Sequence, residues 1–557
     1  MENKKRAVQE LLTQTFLEKS LIKKPNPKNK TLAVQELLQK VKDGTIVDVS
    51  SFHKEKISSA KKFSLSHMPS NSEIAAIASP EERKQFRQIL SVKPVRTLSG
   101  VSVVAVMTPP AGCVGKCIYC PVSLVDEKTP KSYTGKEPST MRSIMFNYNP
   151  YKIVENRLHQ YDEINKPASK IEIIFQGGTF PAESFAHQKY FVKRCIDAVV
   201  GKDSKNIEEA KLSAESSEKR IVGITFETRP DQCSKLQINR MLNLGATRVE
   251  MGVQIPSDDV YKKIARGHSV KDVVQATQRL KDSAFKVCYH LMPGLYGSSP
   301  EHDIEKLSEV FSNQDFMPDM VKIYPCLVIE KTPLHELWKK GKFSPYNTEQ
   351  ASEVISEIKR VIPKWVRIMR IQRDIPADVI AAGVKNSNLR EFVERKMIEK
   401  GIKCNCIRCR EAGLKSHKLK KQIDFSKVKL LREDYNASNG KEIFLSFEES
   451  EFDALIGFAR LRIPSNPFRK EIDSKTALIR ELHVFGDALK VGDNASQTDS
   501  QHKGFGKKLM LEAERIALEE FGMKKLTVIA GIGVKQYYVD KLGYFKDGVF
   551  VSKLLTQ

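Results

Sequence analysis

The sequence has no uninterrupted apolar run of the roughly 18 residues that a transmembrane helix requires. Its opening residues, Met1–Arg6, lead into an amphipathic pattern that lacks the apolar core of a secretory signal. We therefore expect a soluble, cytoplasmic protein without a membrane partner. Its ten cysteines are then expected to be reduced thiols and not disulfides.

Acidic residues are in short supply, because 68 Asp and Glu stand against 92 Lys and Arg, which gives a formal net charge of +24. A charge this positive is unusual for an enzyme of small metabolites and favours a polyanionic partner. Nucleic acid is the first such partner and an anionic membrane surface the second. A generally basic, soluble surface is the plain alternative.

The chain is too long for one hydrophobic core, and its patterns divide it into parts. Residues 1–93 are predicted to form a basic, helical, nucleic-acid-binding region. In residues 94–385, apolar strands alternate with amphipathic segments, which predicts an α/β fold with about six parallel strands in a partial, TIM-like (β/α)6 barrel. The predicted strands are 101–107, 171–175, 221–226, 248–253, 286–291 and 320–324.

The remainder reads as a linker and a second domain. Residues 386–427 are basic, rich in cysteine and poor in apolar residues, which predicts a linker held by a metal. Residues 428–557 have the size and element order of a small α/β acyltransferase domain. The predicted elements are strands 442–447, 454–462 and 476–485, helix 504–521, strand 525–529, helix 534–541 and a closing strand.

The stretch CVGKCIYC places Cys113, Cys117 and Cys120 directly after the first predicted strand. A closed zinc site takes four ligands, whereas a four-iron cluster held by three cysteines keeps one iron open. A zinc site completed by a distant ligand is the alternative. Other candidate residues follow the later strands, where a barrel places its active site. They are Gly177, Gly178, Glu227, Arg229 and Gln254.

This cysteine spacing, with Tyr119 before the last cysteine and a Gly-Gly pair after the next strand, resembles the radical S-adenosylmethionine (SAM) superfamily. The resemblance implies that Cys113, Cys117 and Cys120 hold a [4Fe-4S] cluster and that the strand-end residues bind SAM. A tight turn at Gly177-Gly178 and a salt bridge between Glu227 and Arg229 are the structural alternatives. Pro121-Val-Ser-Leu replaces the Gly-Gly-Pro that many members carry after the last cysteine.

A second resemblance lies near the end of the chain. Gln501-His-Lys-Gly-Phe-Gly506 opens an amphipathic helix, whose free backbone amides suit the pyrophosphate of coenzyme A. With the preceding strand and the Tyr537-Tyr538 pair, it resembles the GNAT acetyltransferases. The implied acetyl-CoA residues are Glu481, Leu482, His483 and Val484 for pantetheine, Gly504, Phe505, Gly506 and Lys507 for phosphate, and Tyr538 or Tyr537 as the catalytic residue at the thioester.

The two domains together are similar to the family of the catalytic subunit of Elongator. Further motifs of that family are present as Gly223-Ile-Thr-Phe-Glu-Thr-Arg-Pro-Asp231, Arg266-Gly-His268 and Arg370-Ile-Gln-Arg-Asp-Ile-Pro376. The resemblance implies a tRNA acetyltransferase. In it, a 5′-deoxyadenosyl radical makes an acetyl radical from acetyl-CoA, which adds to C5 of wobble uridine 34 and gives 5-carboxymethyluridine after hydrolysis.

The same resemblance implies three further features. Lys170 contacts acetyl-CoA, and Cys404, Cys406 and Cys409 bind zinc with a fourth ligand left open, for which His417 is nearest in sequence. Reactive thiols are the alternative there. The implied partner is the anticodon stem-loop, met by the amino-terminal arm and by the run from Arg395 to Lys421, and other Elongator subunits or a homodimer are further partners.

Two other functions are compatible with the same motifs. One is a protein lysine acetyltransferase that uses the barrel as a scaffold, and the other is a tRNA-binding scaffold in which both sites are inactive. The complete cysteine spacing argues against both, because neither has a use for an iron–sulfur cluster.

Overall fold

The computed structural model describes residues 27–65, 67–90, 100–123, 129–164, 168–419, 423–485 and 504–556. Within these residues, no helix is long and apolar enough to cross a membrane. The chain divides into two compact units, residues 1–96 with 157–168 and residues 97–156 with 169–557. The predicted boundary at 93/94 and the start of the Gln501–Gly506 motif lie outside the described residues.

The described part of the first unit is helical. Asp48, Ser70 and Ser79 each accept a hydrogen bond from the backbone of the first turn that they precede, which fixes where three helices begin. Leu37, Phe52 and other apolar side chains form their shared core. The helices are Pro27–Lys42, Val49–Lys62, Asn71–Ile77, Pro80–Gln85 and Arg87–Leu90.

The second unit begins with a seven-stranded parallel sheet, called the barrel sheet below, in the order β1-β2-β3-β4-β5-β6-β8. It confirms the predicted partial barrel, since strands alternate with helices and the two edge strands do not pair with each other. The strands are β1 (Ser102–Met107), β2 (Lys170–Gln176), β3 (Arg220–Thr228), β4 (Arg248–Gln254), β5 (Lys286–Leu291), β6 (Met320–Ile323) and β8 (Arg367–Ile371), with a small ribbon of β7 (Val328–Ile329) and β9 (Ile380–Ala382) beside them.

Strand β8 was absent from the sequence prediction. Its sequence, Arg367-Ile-Met-Arg-Ile371, is short and interrupted by two arginines, and the strand lies at the open edge of the sheet, where it pairs with β6 on one side. The helices of this part are Pro138–Met145, Pro150–Glu163, Phe185–Val200, Ile207–Glu215, Lys235–Asn243, Asp258–Lys263, Val270–Lys281, Pro300–Glu309, Pro333–Lys339 and Thr348–Arg360.

A second seven-stranded sheet, the carboxy-terminal sheet, has the order β10-β11-β12-β13-β14-β16-β15. It is antiparallel except that β13 and β14 run parallel. Its strands are β10 (Val428–Ala437), β11 (Gly440–Glu449), β12 (Ala454–Ile463), β13 (Thr476–Val484), β14 (Lys525–Val528), β15 (Phe545–Asp547) and β16 (Phe550–Leu554). Its helices are Phe505–Arg515, which continues as a π-helical turn through Glu520, and Lys535–Leu542.

Three helices, Leu389–Glu399, Ile407–Arg410 and Ala412–Leu419, connect the two sheets. The predicted boundaries at 385/386 and 427/428 both fall inside this compact unit, and they stay predictions. Cys404 and Cys406 lie between the first and second of these helices, and Cys409 lies in the second.

The carboxy-terminal sheet contacts the amino ends of the barrel strands. At Gly531, a β-carbon would lie 2.2 Å from the carbonyl oxygen of Val222, and at Gly533 it would lie 2.9 Å from the α-carbon of Arg220. Glycine is therefore required where this loop meets the start of β3. The active edge expected for a parallel barrel, at the carboxyl ends of the strands, is left uncovered by these contacts.

A buried ionic cluster joins the same two sheets. The barrel side contributes one lysine and two aspartates, and the carboxy-terminal sheet contributes three arginines and two glutamates. The formal net charge is therefore −1 on the barrel side and +1 on the other. None of these side chains is more than 9% exposed, and all are hydrogen-bonded. The members are Lys281, Asp282, Asp319, Glu442, Arg460, Arg462, Arg480 and Glu481.

We predict that Gly531→Ala lowers the free energy of unfolding of the full chain by about 1–3 kcal/mol, because the new methyl group would overlap rigid backbone. Urea denaturation measures this. Gly112→Ala is the control, since its β-carbon would meet no atom within 4 Å. Equal stability of the two variants would show that the sheets do not meet as described.

Candidate functional site

The three cysteines of CVGKCIYC lie in the loop that follows β1, and each thiol has a polar neighbour. The Cys113 Sγ lies 3.7 Å from Thr179 Oγ1, and the Cys120 Sγ lies 3.4 Å from Ser132 Oγ. Arg266 Nη1 donates to Cys117 Sγ at 3.3 Å. All three cysteines are half-buried. Three half-buried thiols in one loop, one of them beside a cationic donor, fit the thiolate ligands of an iron–sulfur cluster.

The glycine pair after β2 faces this loop. Gly177 and Gly178 have φ of +108° and +71°, and a β-carbon at Gly177 would lie 2.8 Å from Thr108 Oγ1. Thr108 in turn donates to the Gly177 carbonyl at 3.2 Å. Positive φ and close backbone approach both require glycine here. The result is a glycine strip next to the cysteine loop, buried at Gly177 and half-buried at Gly178, whose backbone a ligand of the cluster could approach closely.

Arg229 braces the cysteine loop. Its guanidinium is bidentate to Asp231, with two distances of 2.9 Å, and its Nη1 donates to the Arg266 carbonyl at 2.9 Å. A β-carbon at Gly115 would collide with the same guanidinium at 2.2 Å. The structure therefore pairs Arg229 with Asp231, and the alternative Glu227–Arg229 salt bridge is not formed among the described contacts.

Glu227 and Gln254 lie on neighbouring strands at the same edge. Glu227 accepts from Gln176 Nε2 at 3.0 Å, from Lys322 Nζ at 3.3 Å and from the Tyr133 hydroxyl at 3.4 Å. Gln254 has φ of +70° and is 8% exposed. The predicted SAM residues are thus brought together at the carboxyl ends of β2, β3 and β4.

The barrel interior contains a group of charged residues that the sequence analysis missed. Lys322 forms ion pairs with Glu227 and Glu250, and His290 Nε2 lies 2.7 Å from Glu250 Oε2. Burial opposes the charge of Lys322, yet the neighbouring groups together, Glu250 foremost among them and then Tyr324 and Glu227, outweigh it and raise the pKa of Lys322 well above its usual value. Lys322 is therefore a permanent cation at the barrel mouth.

This group continues toward the other end of the barrel. Arg248 Nε donates to Glu250 Oε1 at 3.1 Å and also pairs with Glu172, which accepts from Thr225 at 2.9 Å. The sequence signal was present as charged residues at every second position of otherwise apolar strands, as in Arg248-x-Glu250. In a parallel sheet that is buried on both faces, such alternation marks a polar interior.

The predicted acetyl-CoA residues lie at the opposite edge of the barrel sheet, in the carboxy-terminal sheet. Strands β13 and β14 pair from Thr476 to Ile479, whereas Glu481–Val484 lie beyond this pairing and pair with β12. Gly504, with φ of +75°, begins the helix Phe505–Arg515. This helix start lies next to the place where β13 and β14 diverge, a region called the slot below, and the backbone amides of a first helical turn suit a phosphate group.

The two tyrosines of the candidate acyl site differ in position. The Tyr538 ring is 7% exposed and belongs to the core of the carboxy-terminal sheet, whereas Tyr537 is 43% exposed. A β-carbon at Gly506 would lie 3.7 Å from Val484 Cγ2 and 3.9 Å from the Tyr537 hydroxyl. The Tyr537 hydroxyl thus lies beside Gly506, at the slot.

Lys170 is separated from the cysteines. It begins β2, and seven residues of extended strand place it about 20 Å from Gly177. Its neighbour across the sheet is Arg220, which contacts the loop at Gly533. Lys170 therefore lies on the same side as the acetyl-CoA candidates, and its pKa is lowered by burial.

Cys404, Cys406 and Cys409 have their sulfur atoms within 4.8 Å of one another. Tetrahedral zinc with bonds of 2.3 Å would set such sulfurs about 3.8 Å apart, so the three thiols fit a zinc ion. The side chain of His417 lies outside the described residues. The segment also joins the sheets, because Ile407 N donates to Val366 O at 2.9 Å and Arg410 Nε donates to Asp453 Oδ1 at 2.9 Å.

Comparison with known proteins gives three family profiles along the chain. The ELP3 N-terminal domain matches residues 31–98, the Radical SAM superfamily matches 107–309, and the Radical_SAM C-terminal domain matches 318–399. The cysteine loop and strands β2–β5 therefore lie within the Radical SAM superfamily match, and β6 and β8 lie within the match to the C-terminal domain.

Curated relatives span nearly the whole chain. The tRNA uridine(34) acetyltransferase of Methanocaldococcus infernus is 53% identical over 527 residues, covering 94% of this chain and 98% of the relative. Human Elongator complex protein 3 is 40% identical over 533 residues, covering 94% and 96%. The crystallographic relative, M. infernus Elp3 with residues 1–46 deleted, has 51% identity and a TM-score of 0.74, covering 82% of this chain and 100% of its own.

We predict that Gly177→Ala weakens SAM binding at least about tenfold, because the methyl group would occupy strained backbone beside Thr108 and displace the glycine strip. Equilibrium binding of SAM to the anaerobically reconstituted protein measures this. Gly201→Ala is the control, since Gly201 also has positive φ, of +77°, but its β-carbon would meet no atom within 4 Å. Unchanged SAM affinity in Gly177→Ala would remove this strip from the SAM site.

Proposed function

Because this chain belongs to the family of tRNA uridine(34) acetyltransferases and Elongator complex protein 3, we propose that it is a radical SAM enzyme that modifies uridine 34 of tRNA. The observation that carries the proposal is the presence, in one compact unit, of a three-thiol loop at one edge of the barrel and, at the other, of a strand edge beside a helix start, an arrangement that suits coenzyme A. A protein acetyltransferase would need the second site alone.

Cys113, Cys117 and Cys120 would hold a [4Fe-4S] cluster, which supplies the electron that splits SAM into methionine and a 5′-deoxyadenosyl radical. Gly177, Gly178 and the residues at the ends of β3 and β4 would bind SAM beside it. Arg229 keeps the cysteine loop in place through Asp231 and the Arg266 carbonyl. The protein's part in this half of the reaction is to orient SAM and exclude water.

Acetyl-CoA would be held by the carboxy-terminal sheet. The part of β13 that extends beyond its pairing with β14 would bind the pantetheine arm through Glu481, Leu482, His483 and Val484, and the helix start at Gly504–Lys507 would bind phosphate. Hydrogen abstraction from the acetyl methyl group would form 5′-deoxyadenosine and an acetyl-CoA radical, which would add to C5 of uracil. Loss of the C5 proton and return of one electron to the oxidised cluster would restore the ring, and thioester hydrolysis would give 5-carboxymethyluridine and free coenzyme A. The Tyr537 hydroxyl would lie at the thioester.

The barrel mouth suits an uracil base. Side chains of Glu227, His290 and Lys322 are 10–16% exposed there, so each can reach a ligand while remaining fixed by its partners. Their donors and acceptors match those of the uracil edge, and a loop nucleotide can be turned out of its stack at a cost of a few kcal/mol. The base would thus be read by hydrogen bonds inside the barrel.

The tRNA backbone would meet a group of arginines near the cysteine-rich segment. The pKa of Arg408 is lowered, first by burial and then by the neighbouring positive charges of Arg390 and Arg367. Clustered guanidinium groups that repel one another are relieved by phosphate. In the predicted run from Arg395 to Lys421, by contrast, Lys396 and Lys400 already pair with glutamates, and residues 420–422 lie outside the described part of the chain.

A zinc ion held by Cys404, Cys406 and Cys409 would stabilise the junction between the sheets. Other Elongator subunits and a second copy of the chain stay as proposed partners. The name of the human relative places it in a complex.

The radical route is tested with Cys117→Ala. With SAM, acetyl-CoA, reductant and unmodified tRNA, the reconstituted wild-type protein should form 5-carboxymethyluridine at position 34, and the variant should form none because one cluster ligand is lost. Mass spectrometry of digested tRNA measures the product. Cys195→Ala is the matched control, since this buried thiol lies in the helix Phe185–Val200. Product from Cys117→Ala would refute the radical route, and acetylation of protein lysines in its place would favour the alternative function.

The tyrosine assignment is tested with a matched pair of variants. Tyr537→Phe should lower kcat for acetyl-CoA consumption at least about tenfold, because its hydroxyl faces the slot. Tyr538→Phe should change kcat by less than about twofold, since its hydroxyl has no hydrogen-bond partner among the described residues. The reverse order of effects would assign the thioester to Tyr538.

A further inference from the structure

Strand β13, which is proposed to bind pantetheine, has one residue more than the segment of β12 with which it pairs. Arg460 of β12 is opposite Glu481, but the next residue, Leu461, is opposite Ile479, so Arg480 is the extra residue of a β-bulge. A bulge bends its strand and redirects the residues that follow. The pairing of β13 with β14 also ends at Ile479. The bulge therefore lies where the coenzyme A slot opens.

The bulged residue is held from the other domain. Arg480 Nη1 donates to Asp319 Oδ2 at 2.7 Å and to the Phe285 carbonyl at 2.8 Å, and both acceptors belong to the barrel. Within its own sheet, Arg480 Nη2 donates to Glu442 Oε2 at 2.9 Å. Arg480 and Asp319 are both fully buried. A planar guanidinium with this many fixed acceptors has one orientation, so the backbone that carries it has one position.

Asp319 is itself fixed by the barrel. It directly precedes β6, and its Oδ2 accepts from the Val287 amide of β5 at 2.8 Å. Its backbone carbonyl accepts from the Arg367 amide of β8 at 3.0 Å. Three barrel strands thus determine where the carboxylate lies. Lys322, which contacts Glu227 in the barrel mouth, is three residues farther along β6.

We infer that Arg480 is a positioning residue for acetyl-CoA, and that the barrel, through Asp319, shapes the pantetheine strand of the carboxy-terminal domain. The slot is then a composite of the two domains, formed correctly only when they are docked. This inference rests on the proposed function, because it takes acetyl-CoA as the ligand of the slot. In this inference, Arg480 does not touch acetyl-CoA and affects its binding through the shape of the β-bulge.

The chain offers a matched control in Arg462. This arginine is also fully buried, donates to a barrel carboxylate, Asp282, at 2.6 Å and 2.8 Å, and donates to Glu442 at 2.9 Å. It lies on β12, away from the edge that faces the slot. The two arginines therefore share residue type, burial and interface, and they differ in whether they carry the bulge.

The experiment measures the Kd of acetyl-CoA by calorimetry on the full-length wild type, Arg480→Met and Arg462→Met, with the Kd of SAM on the reconstituted proteins as the second readout. We expect both variants to lose thermal stability, but only Arg480→Met to bind acetyl-CoA at least about tenfold more weakly. SAM affinity should stay within about twofold of the wild type in both, since the cysteine loop is at the other edge of the barrel. Equal acetyl-CoA affinity in the two variants would overturn the inference.

Two milder variants keep the test decisive where Arg480→Met does not fold. Arg480→Lys retains the charge but cannot reach Asp319 and Phe285 together, and Asp319→Asn weakens the same contact from the barrel side. Both should raise the Kd of acetyl-CoA without changing that of SAM, and unchanged affinity in both would refute the inference. A wild-type protein that does not bind acetyl-CoA would instead refute the proposed acyl site, which separates the two failures.

Discussion

The buried pairing of Asp319 with Arg480 is the constraint on which the arrangement of the two sheets depends. Removing two opposite charges from water is repaid only by good geometry and by full hydrogen bonding, and here the aspartate accepts from the guanidinium and from a backbone amide. The barrel contributes a net negative charge to the surrounding cluster and the carboxy-terminal sheet a net positive one. Any sliding of one sheet over the other would leave buried charges unpaired, so the interface has a single register.

That interface puts the two proposed chemistries at opposite edges of one parallel sheet. The thiol loop and glycine strip lie at the carboxyl ends of the strands, and the coenzyme A slot meets the amino ends near Lys170 and Asp319. Between these two edges, the charged side chains of the barrel interior form ion pairs that extend from Glu172 to Lys322. Parallel strands make this possible, because each strand presents one end to each site.

The cysteine-rich segment and the ionic cluster reinforce each other. Ile407 and Glu411 attach this segment to β8, while Arg410 pairs with Glu448 of β11 and with Asp453 beside it. Three thiols close enough for one zinc ion would cross-link this connection without a disulfide, as suits reduced cysteines. The junction between the sheets is thus stabilised by buried ion pairs and by close backbone packing at Gly531 and Gly533. A zinc ion bound by the three thiols would add a cross-link.

The sequence alone determined the class of fold, six of the seven barrel strands, and the thiol and glycine motifs, because apolar periodicity, cysteine spacing and Gly-Gly pairs are local signals. Tertiary structure decided the rest. β8 is half exposed at a sheet edge, so its apolar signal is weak, and the partner of Arg229 became clear only once Asp231 and the cysteine loop were folded beside it. Which tyrosine faces the slot depends on the orientation of one helix against Gly506. The role of Arg480 depends on a carboxylate 161 residues away, and no local pattern encodes a contact at that separation.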